Sequence, residues 1–108
     1  MKSDESEGNM QNLTDINRLI HEPARLLIIS LLYVIESADF TWIKGQTGLT
    51  DGNLSSHLTK LETAGYVIVE KRLKNKKPNT LLKLSDGGRK AFEEYRNKLT
   101  QILGNPSR

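Results

Sequence analysis

The chain has 108 residues and no cysteine, with 16 Lys and Arg against 13 Asp and Glu and a net charge of +3. That length holds one domain with a modest core, for which oligomerisation is a useful supplement. The missing cysteine excludes disulfides, thiolate metal sites and cysteine nucleophiles, and no apolar run approaches the roughly 18 residues of a membrane helix.

Residues 1–11 are polar, glycine-containing and acidic, so they read as a flexible tail. They lack the apolar core of a signal peptide, which makes the cytoplasm the expected compartment. The domain proper is expected over residues 12–103, with a short C-terminal tail at 104–108. Leu13, Ile16, Leu19 and Ile20 repeat at helical spacing and predict a short first helix. Pro23 suits the first turn of the next helix, where a missing N–H costs nothing. Residues 24–35 are apolar nearly all round, which suggests a central core helix. Asp39-Phe40-Thr41 reads either as a very short strand or as the start of a helix with Thr41 as its N-cap. Trp42 and Ile43 open a short helix ending near Gly48, and Trp42 reads as core or core-rim packing.

Leu49-Thr50 forms a turn, and Thr50 is a good N-cap for a helix over residues 51–64. There Leu54, Leu58 and Leu61 fall at i, i+4 and i+7 and mark the buried face. Asn53, Ser56, Thr59, Lys60 and Thr63 lie opposite, with Ser55 and His57 on the flanks. Gly65 suits the left-handed position that stops a helix. Tyr66 to Leu73 and Thr80 to Leu84 read as two strands joined by a tip at 74–79, with Asn and Pro as turn formers. Lys71, Arg72, Lys74, Lys76, Lys77 and Lys83 fall within residues 71–83, a stretch with no acid. Such clustering is the footprint of a polyanion ligand, although a lysine-rich hairpin can also serve only solubility. Ser85-Asp86 starts a last helix, with Gly87 and Gly88 weakening its first turn. Its stripe of Phe92, Tyr95, Leu99 and Ile102 either packs back on the domain or, with Leu13, Ile16 and Ile20, builds a two-fold interface.

Two helices joined by a tight turn and followed by a basic hairpin fit a nucleic-acid reader. A B-form major groove admits one helix, and small polar side chains near that helix's start reach base edges. The expected base-reading and phosphate set on this helix is Thr50, Asn53, Ser55, Ser56, Thr59 and Lys60. On the hairpin it is Lys71, Arg72, Lys74, Lys76, Lys77, Asn79 and Thr80, touching phosphate or the minor groove. Asp51 favours the helix dipole but repels phosphate, so it reads as a helix-start residue. His57 reads as half-buried and structural. With His21 as the only other histidine, no metal site is expected. Ser56 and His57 point about 100° apart on a helix, and no nucleophile elbow or phosphate loop accompanies them, so no catalytic activity or cofactor is expected.

Leu54-Ser55-Ser56-His57-Leu58-Thr59-Lys60-Leu61-Glu62-Thr63-Ala64-Gly65-Tyr66-Val67 resembles the signature of winged-helix regulators of the ArsR and MarR type. Pro23-Ala24-Arg25-Leu26 resembles the helix that opens their core. Lys77-Pro78-Asn79-Thr80 is similar to the wing of a small prokaryotic, often archaeal, MarR-like subgroup. Leu84-Ser85-Asp86-Gly87-Gly88-Arg89-Lys90-Ala91-Phe92 resembles the start of their last helix. The resemblance covers about residues 20–100. It implies an α+β winged helix-turn-helix with four N-terminal helices, a two-stranded β wing and a C-terminal dimerisation helix. It further implies a homodimeric regulator of double-stranded DNA, acting at no membrane. Metal sensing does not carry over, because the matching helices lack Cys and His ligands, and a small-molecule effector stays unassigned. Two other readings remain open at this point: a protein-interaction winged helix and a nucleic-acid binder without sequence preference.

Overall fold

A computed structural model describes residues 15–104. Among them, helix α1 (Pro23–Ile35) leads to strand β1 (Ser37–Asp39) and helix α2 (Phe40–Thr47). Helix α3 (Asp51–Thr63), strands β2 (Val67–Lys74) and β3 (Lys77–Leu84) and helix α4 (Asp86–Leu103) follow. The sheet is antiparallel in the order β1-β3-β2, so it has three strands where two were expected. The added strand pairs Ser37 with Lys83 and Asp39 with Leu81, covering the outer edge of β3 close to the core. Three residues are too few to show a period of two, which is why β1 left only an ambiguous trace in the sequence.

The expected first helix is corrected in part. Leu13 lies outside the described residues, and the chain from Asp15 to Glu22 forms turns and bends, not helix. Asn17 organises this stretch: its Oδ1 accepts from the Ile20 N–H at 3.1 Å, and its carbonyl accepts from the His21 N–H at 2.8 Å. Pro23 then begins α1, capped by the Glu22 carboxylate, which accepts from the Arg25 N–H at 2.7 Å. The apolar spacing still marks burial, since Ile20 is fully enclosed and Ile16 and Leu19 pack beside it.

Ile28, Ile29 and Leu32 of α1 lie at the centre of the core and meet Ile43, Leu54, Leu58, Leu61, Val67 and Leu82. Each fully buried aliphatic side chain contributes about 1.5–3 kcal/mol. The helix is not buried all round, however: Leu27 and Val34 on its outer side are exposed. Phe92 and Tyr95 of α4 close the core from the other end. The Tyr95 hydroxyl lies 2.8 Å from His21 Nδ1, and burial pushes its pKa up.

α4 begins at Ser85, whose Oγ accepts from the Gly88 N–H at 2.9 Å and donates to the Gly65 carbonyl at 2.5 Å. Gly88 reflects a close approach as well as a weak helix start. A Cβ there would sit 2.1 Å from the Tyr66 carbonyl oxygen and 2.8 Å from Leu84 Cδ1. The N-terminus of α4 is thereby locked against the turn that links α3 to β2.

Candidate nucleic-acid interface

Helices α2 and α3 meet through a left-handed stop and a capped start. Gly48, with φ of 73°, ends α2, and the Thr50 hydroxyl accepts from the Asn53 N–H at 3.1 Å to begin α3. At its other end, Gly65 with φ of 81° donates to Glu62 O, and Tyr66 donates to Leu61 O. This double bond pattern terminates the helix and turns the chain into β2. With Leu54, Leu58 and Leu61 held in the core, Asn53, Ser55, Ser56, Thr59 and Lys60 are all exposed. Thr59 spends its hydroxyl proton locally, donating to the Ser55 carbonyl at 2.9 Å.

The cap of α2 corrects an expectation. Asp39, not Thr41, is the N-cap, and its Oδ1 accepts from the Trp42 N–H at 2.9 Å. The other carboxylate oxygen lies 3.7 Å from Lys74 Nζ. The Trp42 N–H, reinforced by Lys74 and Asn79, holds this carboxyl below the usual Asp range. Asp51 is likewise answered: Lys44 of α2 pairs with it at 2.8 Å, which offsets its repulsion at the head of α3. His57 is half-buried, as expected, and lies 3.1 Å from Arg25 Nη1 and 3.9 Å from Glu22 Oε1. Arg25 also donates through Nε to the Leu19 carbonyl. Burial would raise the Glu22 pKa, but the Arg25 N–H and the charges of His57 and Arg25 outweigh it and leave it lowered. These residues tie the inner flank of α3 to the start of α1.

The wing extends further than predicted, and its turn is tighter. β2 and β3 run in register from Val67↔Leu84 to Lys74↔Lys77, so only Asn75 and Lys76 form the loop. Their φ values of 55° and 65° are those of a type I′ hairpin turn, whose twist matches that of the strands. Pro78 is therefore a strand residue opposite Leu73, not part of the tip. It is tolerated because β1 stops at Asp39↔Leu81, short of Pro78, so an N–H turned away from β2 has no ladder to complete.

Lys71, Arg72, Lys74, Lys76 and Lys77 are exposed, while Asn79 and Thr80 are half-buried. Arg72 Nε donates to Asn79 Oδ1 at 2.9 Å, and Lys71 Nζ lies 3.4 Å from Thr80 Oγ1. Lys83 pairs with Glu70 at 3.4 Å and Lys74 with Asp39. Among the described residues no carboxylate forms an ion pair with Lys71, Arg72, Lys76 or Lys77. Ser55 of α3, Lys71 of β2 and Thr80 of β3 border one groove, floored by Phe40. Lys44 and Asp39 were the residues that sequence reasoning missed, although Asp39 was as good a capping type as Thr41.

The expected dimer residues divide. Ile20 is 0 % exposed, Tyr95 3 % and Phe92 9 %, so their apolar surface is already used inside the protomer. Ile16 and Leu99 are half-buried against the core, and Ile102 and Leu103 stay exposed at the end of α4.

The model of the winged helix DNA-binding domain family matches residues 24–103, from α1 to the end of α4. This chain belongs to that family. Its MarR-like resemblance stands with it, and the chain is a DNA-binding transcriptional regulator. An uncharacterised protein of Methanocaldococcus jannaschii is 35% identical over 88 residues, covering 82% of this chain and 96% of that protein. The structure of a transcriptional regulator homologue from Pyrococcus horikoshii is similar with a TM-score of 0.81 at 26% identity. That match covers 89% of this chain and 94% of the other. NadR in complex with 4-hydroxyphenylacetate is similar with a TM-score of 0.66 at 26% identity, covering 96% and 79%. No helix among the described residues is long and apolar enough to cross a membrane.

Proposed function

We propose that this regulator reads double-stranded DNA in a sequence-dependent way, with α3 in the major groove and the wing on the flanking phosphates and minor groove. The observation that carries this is the pairing of two surfaces across one groove. One is the exposed polar face of α3, with Asn53, Ser55, Ser56, Thr59 and Lys60. The other is a hairpin whose Lys71, Arg72, Lys76 and Lys77 have no carboxylate ion-pair partner among the described residues. Four uncompensated cations on a two-stranded ribbon suit a polyanion, and each phosphate neutralised releases condensed counterions. Small side chains near the start of α3, headed by the Thr50 cap, let that end approach base edges.

Division of labour follows. Wing cations supply affinity that is blind to sequence, whereas Asn53 and Ser56 supply base choice. The test is an alanine comparison on a selected high-affinity duplex and on random DNA. Lys76→Ala with Lys77→Ala weakens both equally and lowers the salt slope by about two. Asn53→Ala or Ser56→Ala costs about 1 kcal/mol or more on the selected duplex alone. Equal losses on both duplexes for the α3 variants would instead favour a binder without sequence preference. An unchanged salt slope would remove the wing from the interface.

We further propose a homodimer. Ile102 and Leu103 at the end of α4, beside half-buried Leu99, support a contact there. A two-fold pair would present two α3 helices to half-sites about 34 Å apart, one DNA turn.

A further inference from the structure

The wing carries one feature that phosphate binding leaves unexplained. Leu73 is 73 % exposed, near the tip of a hairpin otherwise dominated by lysines. Its cross-strand partner is Pro78, also exposed. Packing between the two does not account for Leu73, since most of its surface remains open to water.

Its position is informative. Side chains alternate along a strand, so Leu73 shares a face with Lys71, Val69 and Val67, and Pro78 shares one with Thr80 and Leu82. Val67 and Leu82 are buried, so this is the face turned toward the helices. Pro78 borders the same groove as Ser55 of α3 and Lys71 of β2. Outward along that face, the order is core, then Lys71 and Thr80, then the Leu73 and Pro78 pair. The next pair, Lys74 and Lys77, points to the opposite face, and Lys76 sits in the turn just beyond. An apolar pair with Lys71 inward on its own face and Lys76 at the turn beyond suits a duplex groove, where phosphates flank sugars and base edges.

We propose that Leu73 and Pro78 form an apolar wedge that presses into the minor groove next to the major groove occupied by α3. The inference rests on the duplex-reading function above. Minor-groove proteins use Leu and Pro side chains in this way to part a base step and bend the duplex. The cost of that deformation depends on the step, being lowest at flexible pyrimidine–purine steps. The wedge therefore adds a preference for deformable flanking sequence that no hydrogen bond reads.

The test uses the full chain and two duplexes of about 30 base pairs, one carrying TpA steps a helical turn apart and one with those steps replaced by G·C pairs. Anisotropy reads affinity, and energy transfer between end-labels reads the bend. The wild type is expected to favour and bend the TpA duplex, with a preference of about tenfold. Leu73→Ala loses the preference and the bend while its salt slope stays that of the wild type. Leu73→Lys steepens the slope and still fails to bend the duplex. A Leu73→Ala variant that keeps both preference and bend would overturn the wedge while leaving DNA reading intact. A wild type that binds neither duplex at low salt would overturn the DNA reading and the wedge with it. Since Leu73 is largely exposed, neither substitution removes core packing.

Discussion

At the scale of single residues, Asp39 does three things at once. It caps α2 through Trp42, pairs with Leu81 through β1, and holds Lys74 within 3.7 Å. Asn in its place keeps the cap but drops the charge. Asp39→Asn should therefore fold normally, release Lys74 to phosphate, and bind all DNA more tightly with a salt slope steeper by about one. A salt titration of both proteins checks this. The same carboxyl sets an acid dependence. Its pKa is held down in the folded chain, so its contribution is present above the ordinary Asp value of about 3.9 and is lost as the pH falls through the lower folded value. Chemical denaturation of wild type and Asp39→Asn should give stabilities that converge as the pH drops through that window. Gly88 offers a different kind of test. Helix propensity favours alanine by about 1 kcal/mol, but a Cβ 2.1 Å from a backbone oxygen forces the turn apart. The clash wins: Gly88→Ala should destabilise by about 2 kcal/mol or more. Gly87→Ala meets its nearest atom at 3.5 Å and should be neutral or stabilising by about 0.5 kcal/mol in the same melt.

At the scale of elements, α3 was the most legible part of the sequence. Thr50, the Leu54, Leu58 and Leu61 stripe, and Gly65 each state a local rule that agrees with its neighbours, and the structure follows all of them. The wing was legible in its charge but not in its turn. Asn75-Lys76 lacks the Gly that usually marks a type I′ loop, so Pro78 drew attention to the wrong residues. That turn makes a prediction. Lys76 adopts φ of 65°, a left-handed conformation costing an L residue about 1 kcal/mol. Lys76→Gly should thus stabilise the hairpin while lowering the salt slope on DNA by about one, separating stability from binding. A variant that lost both would mean that Lys76 holds the wing together. What the sequence could not disclose is long-range. β1 exists because Ser37–Asp39 finds β3, the Lys44 and Asp51 pair spans the turn, and Gly88 meets Tyr66. None of these contacts leaves a periodic trace.

At the scale of the whole molecule, the stripe on α4 is not used evenly along its length. The stripe on α4 served two readings, self-packing and dimerisation, and its spacing alone did not choose. Within the protomer Phe92 and Tyr95 are enclosed, while Ile102 and Leu103 are exposed. If the end of α4 joins two copies, Ile102→Glu with Leu103→Glu should halve the mass seen by sedimentation, leave the melting temperature of the protomer largely intact, and weaken DNA binding through lost bivalency. An unchanged mass would move the interface elsewhere. Sequence-dependent reading requires the chain to distinguish one duplex from another. Fluorescence anisotropy of the purified protein across a salt series, on the DNA upstream of its own gene and on a scrambled duplex, measures that. Binding to both should be salt-dependent, with the upstream fragment bound more tightly and that advantage persisting as salt rises. Equal affinity for the two at every salt concentration, or no binding even at low salt, would contradict sequence-dependent reading.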